Sequence, residues 1–179
     1  MLTLRSIRTV RWVVFFACCG WFVLLLSQAV RPQSNDDIGK AMALIKAKAV
    51  ALGGPNMRGS DPVAGKLVPA LYSGSAKINN DYTLVDAVQK ETGAAATFFV
   101  RSGDTYVRVA TTVRKDDGSR VIGTVLDPTG KVFAAIAIGD AYYGDAMILG
   151  KAYVTGYEPI RSADGSVVGI YFVGYPKAS

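Results

Sequence analysis

The side chains of this sequence that could do chemistry are cationic and phenolic. Arg108 lies between Val107 and Val109, and Tyr142, Tyr143, Lys151, Tyr153 and Tyr157 follow in a second collection. A guanidinium offers a planar fork of donors that matches a carboxylate with two parallel hydrogen bonds, so Arg108 is a candidate anchor for an anionic ligand. Tyrosines supply an apolar wall with a hydroxyl at its tip, which suits a small pocket where few polar groups fix orientation. The competing readings are an ordinary salt bridge for Arg108 and cross-strand aromatic packing for the tyrosines. The chain has no histidine, and its two cysteines, Cys18 and Cys19, fall inside an apolar run. His-based triads, His/Cys zinc sites and imidazole bases are therefore unavailable to the folded part. Glu158 has no evident carboxylate partner, and Asp140 and Asp145 bring too few oxygens for calcium. The expectation is a binding protein, not an enzyme, with no metal and no cofactor.

The elements that must position these groups run from Gly93 to Gly174. Residues 97–101 and 105–113 are rich in β-branched and aromatic side chains and are separated by Ser102-Gly103-Asp104, which predicts a hairpin. Alternation along its second strand puts Tyr106, Arg108, Ala110 and Thr112 on one face. A second hairpin is predicted from 151–160 and 166–174, with Lys151, Tyr153, Thr155 and Tyr157 sharing a face. Between them, residues 121–126 read as extended. Asp127 and Pro128 then open a helix over 131–138 that Gly139 ends, with Val132, Ala135, Ile136 and Ile138 inward. Residues 139–150 read as a strand. The predicted centre is an antiparallel sheet holding one helix midway.

Upstream, Asp36 and Asp37 begin a helix whose Ile38, Met42, Ile45, Ala49 and Leu52 form one apolar stripe, ended by Gly53-Gly54-Pro55. That 4-3-4-3 spacing fits packing on the domain's own sheet, or a helix pair across a homodimer. Residues 56–80, interrupted by Pro62, Pro69 and several glycines, read as an irregular connection with a turn of helix near 66–72. Thr83 and Asp86 look like a capping box for a helix over 84–91 that Gly93 closes.

The 179 residues, half of them apolar, suffice for one domain of ordinary size. The net charge is +6, but Arg5, Arg8 and Arg11 precede the apolar run, and the remaining basic residues are scattered among acids. No phosphate-tracking face is evident, so nucleic acid is not an expected partner. Residues 1–11 read as a basic cytoplasmic N-terminus and 12–30 as a transmembrane anchor or a signal peptide cleaved after Ala29. A linker over 31–35 then leads to a domain over 36–179. The arginine bias places that domain across the membrane, on the periplasmic side of the inner membrane if anchored, or exported if cleaved.

The segments 123–127, 141–146, 148–150, 153–155, 157–160 and 165–170 together resemble the Cache domain. The closer likeness is to the single-Cache, Cache 3/Cache 2 fusion type found in the extracytoplasmic part of bacterial chemotaxis receptors and sensor kinases. The resemblance covers roughly residues 36–175. It implies an α+β, PAS-like fold in which a long N-terminal helix leads to a curved antiparallel sheet cupping a small ligand. It also implies a sensor of small carboxylates, amino acids or purines, with Arg108, Tyr142, Tyr143, Lys151 and Tyr153 where pocket residues are expected. Receptors of this kind continue into a second membrane helix and a signalling module, whereas this sequence stops at Ser179. The expectation is either a stand-alone domain without its own output module, working through a receptor partner, or a truncated relative of a receptor. The alternative is an envelope interaction protein that docks without a ligand.

Overall fold

The computed structural model describes residues 35–177. The basic N-terminus, the apolar run over 12–30 and all but the last residue of the expected linker lie outside that range. No helix among the described residues is long and apolar enough to cross a membrane.

Helix α1 spans Asn35–Ala51, with Asp36 and Asp37 at the end where the helix dipole favours negative charge. Its stripe of Ile38, Ala41, Met42, Ile45 and Ala49 is buried within the chain's own core. The stripe is thus taken up by the domain itself, while Leu52, beyond the helix, is 46% exposed.

The largest departure from expectation is the segment after α1. Residues read as an irregular connection form a three-stranded antiparallel sheet of β1 (Pro55–Val63), β2 (Lys66–Ser73) and β3 (Ala76–Lys77). The β1–β2 turn holds Ala64 and Gly65 at φ of 48° and 79°, a pair of left-handed positions that closes a two-residue hairpin. Alanine is outside the usual vocabulary of such turns, so the signal is silent. The prolines are tolerated where they fall. Pro62 is on edge strand β1, and Pro69 pairs with Ser60 next to a register shift. The buried Asn79 extends this sheet by side chain, accepting from the Leu71 N–H at 3.0 Å and donating to the Pro69 carbonyl at 3.1 Å.

Helix α2 (Thr83–Thr92) ends, as expected, at a left-handed Gly93. Its start differs from the capping box read in the sequence. The Thr83 N–H donates to Asp81 Oδ1, and Asp86 is instead engaged by both terminal nitrogens of Arg120, at 2.7 and 2.9 Å.

The main sheet has five antiparallel strands, β4 (Ala95–Ser102), β5 (Thr105–Thr111), β6 (Tyr142–Ile148), β7 (Lys151–Arg161) and β8 (Val167–Pro176), in the order β5-β4-β8-β7-β6. Both predicted hairpins are present. Helix α3 (Lys131–Ala137) connects β5 to β6, as the sequence indicated, but starts from Gly130. Asp127 closes a local turn before it by accepting from the N–H and hydroxyl of Thr129. Val132 and Ile136 face inward, whereas Ile138 leaves the helical conformation and is 77% exposed.

The sheet separates two hydrophobic clusters. One face carries Phe98, Val100, Tyr171 and Val173 and is covered by α1, α2 and the small sheet. The other carries Phe99, Tyr157, Ile170 and Phe172 with α3. Strands β4 and β8 come close enough that a Cβ on Gly169 would lie 2.3 Å from the Phe99 carbonyl oxygen. Because that neighbour is backbone inside a paired ladder, Gly169→Ala forces the strands apart. The expected cost is about 1–3 kcal/mol, read as a fall of several degrees in melting temperature. An unchanged melting temperature would show that the ladder can widen there freely.

Candidate functional site

Arg108 is placed by an irregularity in β5. Register shifts between Phe98 and Phe99, so that Phe98 pairs with Ala110 and Phe99 with Arg108, leaving Val109 as an extra residue. This bulge breaks simple alternation. Ala110 packs with Val107 and Val109 on the helix-covered face, while Arg108 shares the opposite face with Phe99 and Tyr106, correcting the expected grouping of Arg108 with Ala110. The backbone of Arg108 is held on its other edge by residues 121–126. Its N–H donates to the Thr124 carbonyl at 2.9 Å, and its carbonyl accepts from Gly123 at 2.8 Å. That segment is an irregular strap, not the continuous strand expected, and Gly123 at φ 75° lies directly against Ala64 of the small sheet.

The Arg108 guanidinium stacks on Phe99, 5.0 Å from its ring centroid, and the residue is only 8% exposed. Its Nε is buried without a hydrogen-bond partner. Among the described residues no acid forms an ion pair with it. Burial pulls the guanidinium below its ordinary value, with the phenols of Tyr157 and Tyr153 acting in the opposite direction. Burial also pushes the Tyr157 hydroxyl up to about 12, against the pull of Arg108, so at neutral pH it is a neutral donor.

These groups border a cleft of about 410 Å³ between the strap, the start of α3 and the β6–β7 hairpin. Arg108, Tyr142 and Tyr157 line it, with Tyr142 and Tyr157 in an edge contact at 6.2 Å between centroids. The other candidates are distributed elsewhere. Lys151 and Tyr153 line a neighbouring cleft of about 340 Å³ that shares Ile148 and Leu149 with the first. Lys151 is exposed there, 3.9 Å from a fully exposed Asp116. Tyr143 points to the far face of the sheet, against Gly156 and Ile38 of α1, and donates to Glu158. Sequence reasoning did not single out Lys131, Val125, Met147 or Leu149, all of which border the Arg108 cleft. The trace of this in the sequence is Val125 and Leu149, large apolar residues in short connecting segments where turn residues would be usual, with Met147 near the end of β6.

The antiparallel strand order, with α1 and α2 on one face of the sheet and α3 on the other, is consistent with a PAS-like fold. Residues 56–179 match the model of the Cache 3/Cache 2 fusion domain, and the chain belongs to that family. The family is one of sensory, ligand-binding domains that typically stand outside the cytoplasm. No curated protein matches the sequence.

On the helix face, Lys46 Nζ lies 2.5 Å from Glu158 Oε2, tying α1 to β7. Burial works to raise the Glu158 carboxyl, but hydrogen bonds from Lys46 and Tyr143 and the Lys46 charge more than offset it, leaving it below the usual carboxylate value. A carboxylate held low contributes stability above its unfolded pKa and loses it as pH falls through the folded one. Glu158→Gln is therefore expected to destabilise the protein by about 1 kcal/mol at pH 7, a gap that closes on acidification, as read by urea unfolding at pH 7 and pH 3. A gap independent of pH would contradict this.

Proposed function

We propose that this chain is an extracytoplasmic sensing domain that binds a small anionic metabolite, a carboxylate, in the cleft beside β5, with Arg108 as the counter-charge. The observation that carries this reading is a guanidinium nine-tenths buried at a cleft wall, stacked on Phe99 and, among the described residues, without an acid in an ion pair with it. Burying an unpaired cation is costly, and a carboxylate arriving with two acceptor oxygens removes that cost. Tyr142 and Tyr157 form the adjoining wall, with Tyr157 able to donate a further hydrogen bond to the anion. Family membership supports ligand sensing as the role of such a cleft. The apolar run over residues 12–30 supports export or anchoring through the inner membrane, with the domain on the periplasmic side.

The test is a thermal-shift panel of carboxylates, amino acids and purines on the purified chain. A bound carboxylate at ~100 times its Kd adds about 2.7 kcal/mol of stability, and Arg108→Ala abolishes the shift. Tyr143→Phe and Lys151→Ala leave it unchanged, because neither side chain borders this cleft. A panel in which no anion shifts the wild type overturns the reading. So does an anion shift that survives Arg108→Ala.

A further inference from the structure

The outer part of the Arg108 cleft has a chemistry of its own. Val125, Met147 and Leu149 border its mouth, and they are 42%, 68% and 52% exposed, so large apolar side chains are concentrated where a ligand would enter. Leu149 is also held at φ 51°, followed by Gly150 at φ 75°, in the turn between β6 and β7. Two consecutive left-handed residues suit Asn-Gly, and a leucine in the first position is strained. The turn thus carries an apolar side chain in a backbone conformation that disfavours it.

Charge at the mouth is compensated. Lys131 is exposed there, Asp127 is occupied by Thr129, and Asp145 pairs with Lys177 at 2.6 Å. Among the described residues Arg108 is the one buried cation bordering the cleft. A second carboxylate would find no second buried cation among the lining residues, only the exposed Lys131, where an ion pair in water is worth little. An apolar body would cover Val125, Met147 and Leu149 and remove their surface from water.

We infer that the ligand is a monocarboxylate with an apolar body, its carboxylate on Arg108 and its hydrocarbon against Val125, Met147 and Leu149. This rests on the anion-binding reading above and narrows it. Dicarboxylates and tricarboxylates are disfavoured because the mouth offers apolar surface and balanced charge where their second anion would lie. Amino acids gain little from their ammonium group, since Asp145 already pairs with Lys177 and an ion pair with the exposed Asp127 is worth little in water.

The test is calorimetric titration of the full chain in nanodiscs, against empty nanodiscs, with acetate, butyrate, hexanoate, 3-phenylpropionate, succinate, citrate, leucine and 4-methylpentanoate. Each added methylene is expected to tighten Kd by up to about fourfold, equivalent to about 0.8 kcal/mol. 4-Methylpentanoate, which is leucine without its ammonium group, binds at least as tightly as leucine. Leu149→Asn gives the turn a residue it favours, so it folds, and it flattens the chain-length series while leaving acetate unchanged. Met147→Ser has the same effect without touching the turn. Succinate or citrate binding more tightly than hexanoate overturns this inference and leaves the anion site standing. Leucine binding more tightly than 4-methylpentanoate does the same in favour of a zwitterion. A series that neither variant flattens overturns the placement of the hydrocarbon. Failure of every anion to bind overturns both readings together.

Discussion

The insertion of β8 between β4 and β7 is the pairing on which the molecule depends. A strand from the end of the chain must enter the middle of the sheet, so it has to be apolar on both faces. Ile170 and Phe172 fill the side shared with α3, and Tyr171, Val173 and Tyr175 fill the side covered by α1 and α2. Gly169 allows the backbone of β8 to approach Phe99 closely. Once β8 is in place the sheet has two distinct faces, and every residue of β6 and β7 is assigned to one of them. Tyr142 and Tyr157 go to the cleft face, and their sequence neighbours Tyr143 and Glu158 go to the helix face.

That sorting puts the two polar systems of the domain on the same two strands. The cleft uses Tyr142 of β6 and Tyr157 of β7, and α1 is tied through Lys46 and Glu158 of β7 and Tyr143 of β6. The distance between them is one peptide unit in each strand. Under the proposed function, a ligand in the cleft touches the two strands that also carry the contacts of α1, without intervening layers.

Arg108 is the costly residue in this arrangement. Its backbone is held from both sides, by β4 and by the strap, so its side chain has little freedom to reach solvent. The Phe99 ring provides one favourable face, worth about 1–2 kcal/mol for a desolvated cation, which is less than the several kcal/mol of desolvation a buried ion incurs. The protein supplies a rigid donor fork, and under the proposed function the neutralising charge comes from another molecule. Among the described residues Asn56 Oδ1 is the other buried side-chain atom without a partner, but Arg108 alone of the two carries a charge, the kind of local inconsistency that marks binding sites.

Much of this was legible from residue types alone. Gly103 and Gly165 mark the hairpin tips, Gly93 ends α2, and the spacing from Ile38 to Ala49 shows the buried side of α1. The small sheet was not legible, because Ala64 takes a turn position without a turn residue's identity and the prolines fall where an edge and a register shift admit them. Nor was the phase of β5, since one extra residue at Val109 inverts alternation beyond it and the cause lies in pairing with β4. The tyrosines were legible as a collection but not as a site. Adjacent strand residues must face opposite ways, so Tyr142 and Tyr143 could never both enter one cleft, and periodicity does not say which one does. The partner strand decides it. Tyr157 opposite Tyr142 supplies an aromatic neighbour on the cleft face, and Gly156 opposite Tyr143 leaves open the space beside Ile38 into which the Tyr143 ring fits. A Cβ at Gly156 would lie 2.8 Å from that ring, so a glycine in the other strand sets which tyrosine reaches the Arg108 cleft.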